Sequence, residues 1–77
     1  ARMRWQEHIV STPDTLHGAP RFRATRIPVS LVLEHLAAGV TVEELHRQYP
    51  TLPSEAVPAA LAYAAELARE RIVRIPA

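Results

Sequence analysis

The chain of 77 residues contains no cysteine, no lysine and only two glycines. Without cysteine it can form neither disulfide bonds nor thiolate metal sites, and two glycines are too few for a glycine-rich phosphate loop. No apolar run approaches the roughly 20 residues that cross a bilayer, and the N-terminal stretch lacks the apolar core of a signal peptide. We therefore expect a protein of the cytoplasm.

The length allows one domain, spanning residues 1–77. Apolar residues make up 48% of the chain and charged residues 22%, a composition typical of a globular protein. A domain this small buries little surface and is only marginally stable alone, so we expect support from a partner or a second copy, with a dimer favoured. The net charge of +1 gives no strong general attraction to nucleic acid.

The N-terminal part predicts a two-stranded β-hairpin over residues 7–11 and 21–24. Ile9 and Val10 form a short apolar pair, and Phe22 lies between two arginines in a polar–apolar alternation. The segment between them is rich in turn-forming residues, among them Pro13 and Gly18. An isolated hairpin is marginal in water, so it is expected to pack against the rest of the domain.

The remainder predicts three helices, near residues 29–38, 42–49 and 54–71. Pro28 suits the start of the first helix, and Gly39 suits its end. Thr41 and Glu44 form a capping-box pattern at the start of the second helix. Ser54 is the expected N-cap of the third helix. The tail 72–76 is compatible with a short strand or a fraying helix end. The expected buried positions recur at helical spacing; they are Val29, Val32, Leu33 and Leu36, then Val42, Leu45 and Tyr49, then Val57, Leu61, Ala64, Leu67 and Ala68.

The second and third helices together look like a helix-turn-helix, a unit in which two helices pack across a tight corner. If it reads DNA, the first turns of the third helix face the groove. None of the residues expected there is Arg, Lys, Asn or Gln, the usual readers of base edges, so a compact corner without a DNA role stays open. The residues expected to be exposed there are Ser54, Glu55, Pro58, Ala59 and Ala62.

Three arginines lie just ahead of the first helix, within residues 21–26. On a strand, Arg21 and Arg23 share one face while Phe22 points to the other. These two guanidinium groups could contact phosphates or an acidic protein partner, or they could protect a solvated strand edge. Arg26 stands two residues before the helix and is expected to fix the joint between strand and helix. Arg26→Ala is therefore expected to lower stability, whereas Arg21→Ala and Arg23→Ala are expected to spare the fold.

The sequence predicts no catalytic, cofactor or metal site, and hence no enzyme. No two histidines are three or four residues apart, so none form a helical ligand pair. Glu43 and Glu44 are adjacent and point apart on a helix. Serine, histidine and aspartate occur without the sequence context of a nucleophilic site.

The stretch "PDTLHGAPRFRATRIPV" resembles the domain-of-unknown-function family 433, whose members have a proline- and glycine-rich turn followed by G-T-R-(apolar)-P-V. The resemblance extends over about residues 8–67, with residues 68–77 as helix end and tail, and includes Y-P-x-L and A-L-A-Y elements. His17 and Ala24 stand where the family usually has glycine, and Pro58 replaces a usually polar residue. The matching positions are Pro13, Gly18, Pro20, Phe22, Thr25, Arg26, Ile27, Pro28 and Val29.

The resemblance implies a homeodomain-like helix-turn-helix fold and an antitoxin of a type II toxin–antitoxin pair. Such antitoxins bind a PIN-like ribonuclease toxin and commonly bind their own promoter DNA as dimers. The alternatives are a stand-alone DNA-binding regulator and a dimeric interaction module without DNA binding. The expected residues are Arg21, Arg23, Ser54 and Glu55 for partner or nucleic acid, Gly18, Pro20, Thr25, Arg26 and Pro28 for structure, and Ala64, Ala65 and Ala68, with the 72–76 tail, for the dimer.

Overall fold

The computed structural model describes residues 3–70, in which a short antiparallel hairpin precedes three helices. The predicted fold class, a mainly helical domain with a helix-turn-helix and an N-terminal hairpin, is confirmed. The predicted helix end at residue 71 and the tail 72–76 lie outside the described residues. The elements are β1 (Ile9–Val10), β2 (Arg21–Phe22), α1 (Val29–Ala37), α2 (Val42–Gln48) and α3 (Ala56–Glu70), with 3-10 turns at Trp5–Glu7 and Leu16–Gly18.

The hairpin is shorter than the sequence indicates. Ile9 pairs with Phe22, and Val10 pairs with Arg21. One further backbone bond follows, in which the Arg23 N–H donates to the His8 carbonyl over 2.8 Å. The strand stops there because the next residue, Ala24, has a left-handed φ of 64° and turns the chain away.

A backbone hydrogen bond connects the first residue of helix α1 to the segment before β2. The Val29 N–H, which has no partner inside the helix, donates to the Pro20 carbonyl over 2.9 Å. At the other end Gly39 adopts a φ of 91°, and the Val40 N–H donates back to the His35 carbonyl over 3.0 Å. This is a Schellman ending, the arrangement for which glycine is preferred.

Helix α2 begins at the predicted cap. The Glu44 N–H donates to the Thr41 hydroxyl over 3.1 Å, which satisfies one of the free donors of the first turn. The Glu44 carboxylate does not return to the Thr41 backbone. It accepts instead from Arg47 Nη1 over 2.6 Å and from Gln48 Nε2 over 3.0 Å, so only half of the predicted capping box forms.

Helix α3 begins at Ala56, one residue beyond the first helical position expected with Ser54 as N-cap. The Ala59 N–H donates to the Glu55 carbonyl over 3.0 Å. Pro58 therefore lies within the first turn, where a missing N–H removes no helical hydrogen bond. This start explains how the helix accepts a proline near its beginning.

The core lies between the hairpin and the three helices, and the buried side of α3 differs from the predicted one. Ala59 and Ala60 are fully buried, while Leu61 is 52% exposed and Leu67 42% exposed. Val42, expected inside, is 43% exposed. Helix α3 packs against α1 with its alanine side inward, and this orientation leaves the leucines outside. The buried set is Ile9, Phe22, Val29, Val32, Leu45, Leu52, Ala56, Val57, Ala59 and Ala60.

Candidate interaction surfaces

Residues 20–29, named here the 20–29 loop, fold onto themselves through a compact set of hydrogen bonds. The Thr25 hydroxyl donates to the Phe22 carbonyl over 2.8 Å and accepts from the Ile27 N–H over 3.1 Å. The Phe22 N–H donates to the Ile27 carbonyl over 3.1 Å. The Phe22 ring is fully buried in the core. The loop is therefore fixed both by its own polar groups and by an apolar anchor.

Arg21 is part of this fixed structure rather than a free surface charge. Its Nη1 donates to the Thr25 carbonyl over 3.0 Å, and its Nη2 reaches the Thr12 hydroxyl over 3.4 Å. Its Nε is buried without a hydrogen-bond partner in the described part of the chain. The prediction that Arg21 and Arg23 share one exposed strand face is wrong, because the strand ends before Arg23.

Arg23 and Arg26 are the exposed cations of the loop. Arg23 Nε donates to the Glu7 carbonyl over 3.0 Å. Within residues 3–70 the Arg26 guanidinium makes no hydrogen bond and no ion pair. The structure thus reverses the expected division of roles: Arg21 holds the joint with Thr25, while Arg26 points to solvent. Binding of a partner by Arg21 or Arg23 stays a prediction.

The expected structural residues of the turn lie where the backbone is most constrained. Gly18 has a φ of 83°. His17 and Ala24, the two positions that differ from the family pattern, have φ values of 54° and 64°. A left-handed backbone at both positions explains why glycine suits them. Pro28 caps α1 and forms an antiparallel bridge with Arg21.

The turn before α3 exposes Ser54 and Glu55, as predicted. Ala59 is buried, so it could not contact bases in a DNA groove. Over residues 42–69 the sequence has four glutamates against two arginines. One of these arginines, Arg47, is paired with Glu44 over 2.6 Å. The helix-turn-helix unit therefore presents a surface that is acidic rather than basic.

The outer face of α3, defined by Pro58, Leu61, Ala65 and Ala68, is apolar and exposed. Two of the residues expected at a dimer contact, Ala65 and Ala68, belong to it, while Ala64 is half-buried. Leu61 was expected in the core, and sequence reasoning missed it as a surface residue. The 3-4-3 spacing of the four residues was the signal that could have found this second face.

An open groove of about 590 Å³ runs between the N-terminal segment and α3. Trp5 forms its wall: its indole N–H donates to Glu66 Oε1 over 3.3 Å, and its ring meets Tyr63 edge-on at 4.9 Å. Ala65 and Arg69 line the opposite side. Nowhere in residues 3–70 do three or more histidine, aspartate or glutamate side chains gather as metal ligands.

These features define a small hairpin and helix-turn-helix domain with two candidate contact surfaces, a basic loop and an apolar helix face. The chain belongs to the family described as "Protein of unknown function (DUF433)", whose sequence model matches residues 9–64. Over residues 3–70, no helix has both the length and the apolar character that crossing a lipid bilayer requires.

Two relatives agree with this assignment. The uncharacterized protein y4eO of Sinorhizobium fredii (strain NBRC 101917 / NGR234) is 41% identical over 59 residues, which are 77% of this chain and 27% of that protein. The 2.00 Å crystal structure of a DUF433 member from Anabaena variabilis ATCC 29413 superposes with a TM-score of 0.74 at 34% identity. That match covers 84% of this chain and 64% of the other, so this chain is shorter than both relatives.

Proposed function

We propose that this chain is an antitoxin-like protein that binds a PIN-like ribonuclease toxin through the 20–29 loop. The observation that carries the proposal is the exposure of Arg23 and Arg26 on a loop already held in place by internal hydrogen bonds. A surface that is fixed before binding loses less conformational freedom when a partner docks. Arginine is also a side chain enriched at the energetic centres of protein interfaces.

The charge of the loop fits such a partner. Arg21, Arg23 and Arg26 bring three positive charges into residues 20–29, which contain no acidic side chain. A ribonuclease that uses divalent metal ions holds them with carboxylates, so the surface around its active site is negative. Guanidinium groups pair with carboxylates in a bidentate geometry that adds specificity. An arginine loop seated at that surface would obstruct access of RNA.

Binding of promoter DNA is the second candidate, and the same exposed arginines favour it, because phosphate contacts come chiefly from such side chains. The surface of α2 and α3 is acidic and would repel DNA phosphates. This disfavours base recognition in a DNA groove by the helix-turn-helix of a single chain. If DNA is bound, we expect the loop arginines to supply the phosphate contacts. Affinity would then fall steeply with salt, since each neutralised phosphate releases counterion.

The test is co-expression of the chain with the product of the neighbouring gene, followed by affinity capture and a ribonuclease assay. We expect the wild-type chain to capture and inhibit that product, and the double variant R23E/R26E to lose at least tenfold in affinity. Arg47→Glu is the matched control, because it reverses an exposed arginine on α2, and it is expected to bind normally. A neighbouring product that never associates with the chain would overturn the proposal.

The DNA candidate needs a separate measurement. Fluorescence anisotropy with the DNA upstream of the gene, at 50 to 200 mM salt, should show a salt slope that decreases in R23E/R26E. Binding that is unchanged by salt and by both substitutions would remove this candidate, and it would leave the toxin-binding proposal untouched.

A further inference from the structure

We propose that the outer face of α3 associates with the same face of a second copy of this chain, with the two helices antiparallel across a two-fold axis. The face consists of Pro58, Leu61, Ala65 and Ala68, all exposed, with Leu61 at 52%. The four residues are contiguous along the helix, and contiguous exposed apolar surface marks an interaction site.

The spacing of these residues suits a helix partner. The intervals 3, 4 and 3 place them on one line along α3, as in the a and d positions of paired helices. The opposite side of the helix, at Ala56 and Ala60, is already buried against the rest of the domain. One helix thus has two separate apolar faces, of which the described part of the chain covers one.

A second copy is favoured because the face is complementary to itself when the helices run in opposite directions. In a two-fold contact, residue i meets residue j of the other copy, and j meets i. Aligning the two faces head to tail sets Leu61 opposite Ala65 and Pro58 opposite Ala68. A large side chain meets a small one in each copy, so the helices can approach closely and the leucines can interlock.

The charges at the ends of the face agree with the same alignment. Glu55 precedes the first turn of α3 and Arg69 lies in its last turn, and both are exposed. They are 14 residues apart, about four helical turns, and so lie along the same side of the helix. In the same antiparallel register Arg69 of one copy lies two residues, about 3 Å along the axis, from the position opposite Glu55 of the other. That offset is within reach of the long arginine side chain, whereas parallel helices would set like charges together. Within residues 3–70 neither side chain forms an ion pair.

The expected dimer is reversible. A helix of 15 residues is about 22 Å long, and a single pair of such helices buries less than the roughly 1,200 Å² of stable protein interfaces. We therefore expect dissociation in the micromolar range or above. No residue of the face belongs to the 20–29 loop, so the association can be tested independently of the proposed toxin binding.

The test is sedimentation equilibrium of the full chain alone, from about 5 µM to 1 mM. We expect the mass to rise from that of the 8.6 kDa monomer towards twice that value. Leu61→Glu should raise the dissociation constant at least tenfold. Val42→Glu, which alters an apolar residue on α2 that is 43% exposed, should not change it. Circular dichroism checks that both variants remain folded.

Exchanging the charges of Glu55 and Arg69 tests whether the two α3 helices are antiparallel. The single variants E55R and R69E should each weaken association several-fold, and the double variant E55R/R69E should restore it to within about twofold of the wild type. A monomer at every concentration, or a dimer unaffected by Leu61→Glu, would overturn the proposal. A double variant weaker than either single one would overturn the antiparallel arrangement. If the chain is monomeric alone but Leu61→Glu abolishes capture of the neighbouring gene product, the face belongs to that partner and the self-association is refuted.

Discussion

The 20–29 loop and the outer face of α3 are built in opposite ways. The loop is irregular backbone, and its shape depends on hydrogen bonds from Thr25 and Arg21 together with the buried ring of Phe22. In α3 the helix satisfies its own backbone, and the outer face adds only apolar side chains such as Leu61 and Ala65. The surface of the loop is thus polar, and its shape depends on the folding of the domain. The outer face of α3 is apolar, and the fold of the domain does not depend on it.

This difference has a consequence for mutation. A substitution in the loop changes both the fold and the surface, because the same ten residues anchor the core and display arginines. A substitution on the outer face of α3 that keeps a good helix former changes the surface alone, since these side chains are exposed in the described part of the chain. Stability and association should therefore respond independently at α3 and jointly in the loop.

The largest expected effect compares Phe22 with Leu61. Phe22→Ala removes a fully buried ring and should lower the free energy of unfolding by about 3–5 kcal/mol. That is much of the stability of a small domain. Leu61→Ala should change it by less than about 0.5 kcal/mol, as for other surface substitutions. Urea denaturation at low micromolar concentration, where the chain is monomeric, measures both.

Similar losses in the two variants would contradict the comparison, because they would mean that Leu61 is buried in the monomer. The control for association is to repeat the denaturation near 1 mM. There the wild type should gain stability by mass action, and Leu61→Ala should gain less.

The second comparison lies within the loop, between Arg21 and Arg26. Arg21→Ala leaves the Thr25 carbonyl without its donor, and we expect a loss of about 1–2 kcal/mol in the free energy of unfolding. Arg26→Ala should stay within about 0.5 kcal/mol, because its guanidinium is exposed. Thermal or urea denaturation of the two single variants checks the order, and a greater loss for Arg26→Ala would show that the loop is arranged differently.

The helices could be predicted because their limits depend on local signals. Gly39 adopts the positive φ expected at the end of α1, and Thr41 caps α2 through the Glu44 N–H as the capping pattern indicates. The constrained backbone at Ala24 could also be anticipated, since the family resemblance has glycine there. Each of these features is determined by residues within a few positions of one another.

The roles of Arg21 and of the two sides of α3 could not be predicted in this way. The Thr12 hydroxyl that meets Arg21 is nine residues away in the sequence, and nothing local connects the two. In α3 both sides are apolar, so hydrophobic periodicity selects the side with the leucines. The structure buries Ala59 and Ala60 instead, because the side of α3 that faces inward is decided by its packing against the rest of the domain and not by any local pattern.

The smallest expected effect uses one substitution at two sites, Ala24→Gly in the loop and Ala65→Gly on α3. At Ala24 the φ of 64° is left-handed, a conformation that costs an L-residue roughly 1–2 kcal/mol. Glycine relieves this strain but loses more entropy on folding, about 0.5–1 kcal/mol, so we expect a net stabilisation near 0.5 kcal/mol. At Ala65, in the middle of an exposed helix face, glycine should destabilise by about 1 kcal/mol. Urea denaturation at low micromolar concentration should give changes of opposite sign, and a loss of stability in Ala24→Gly would mean that the turn is not strained.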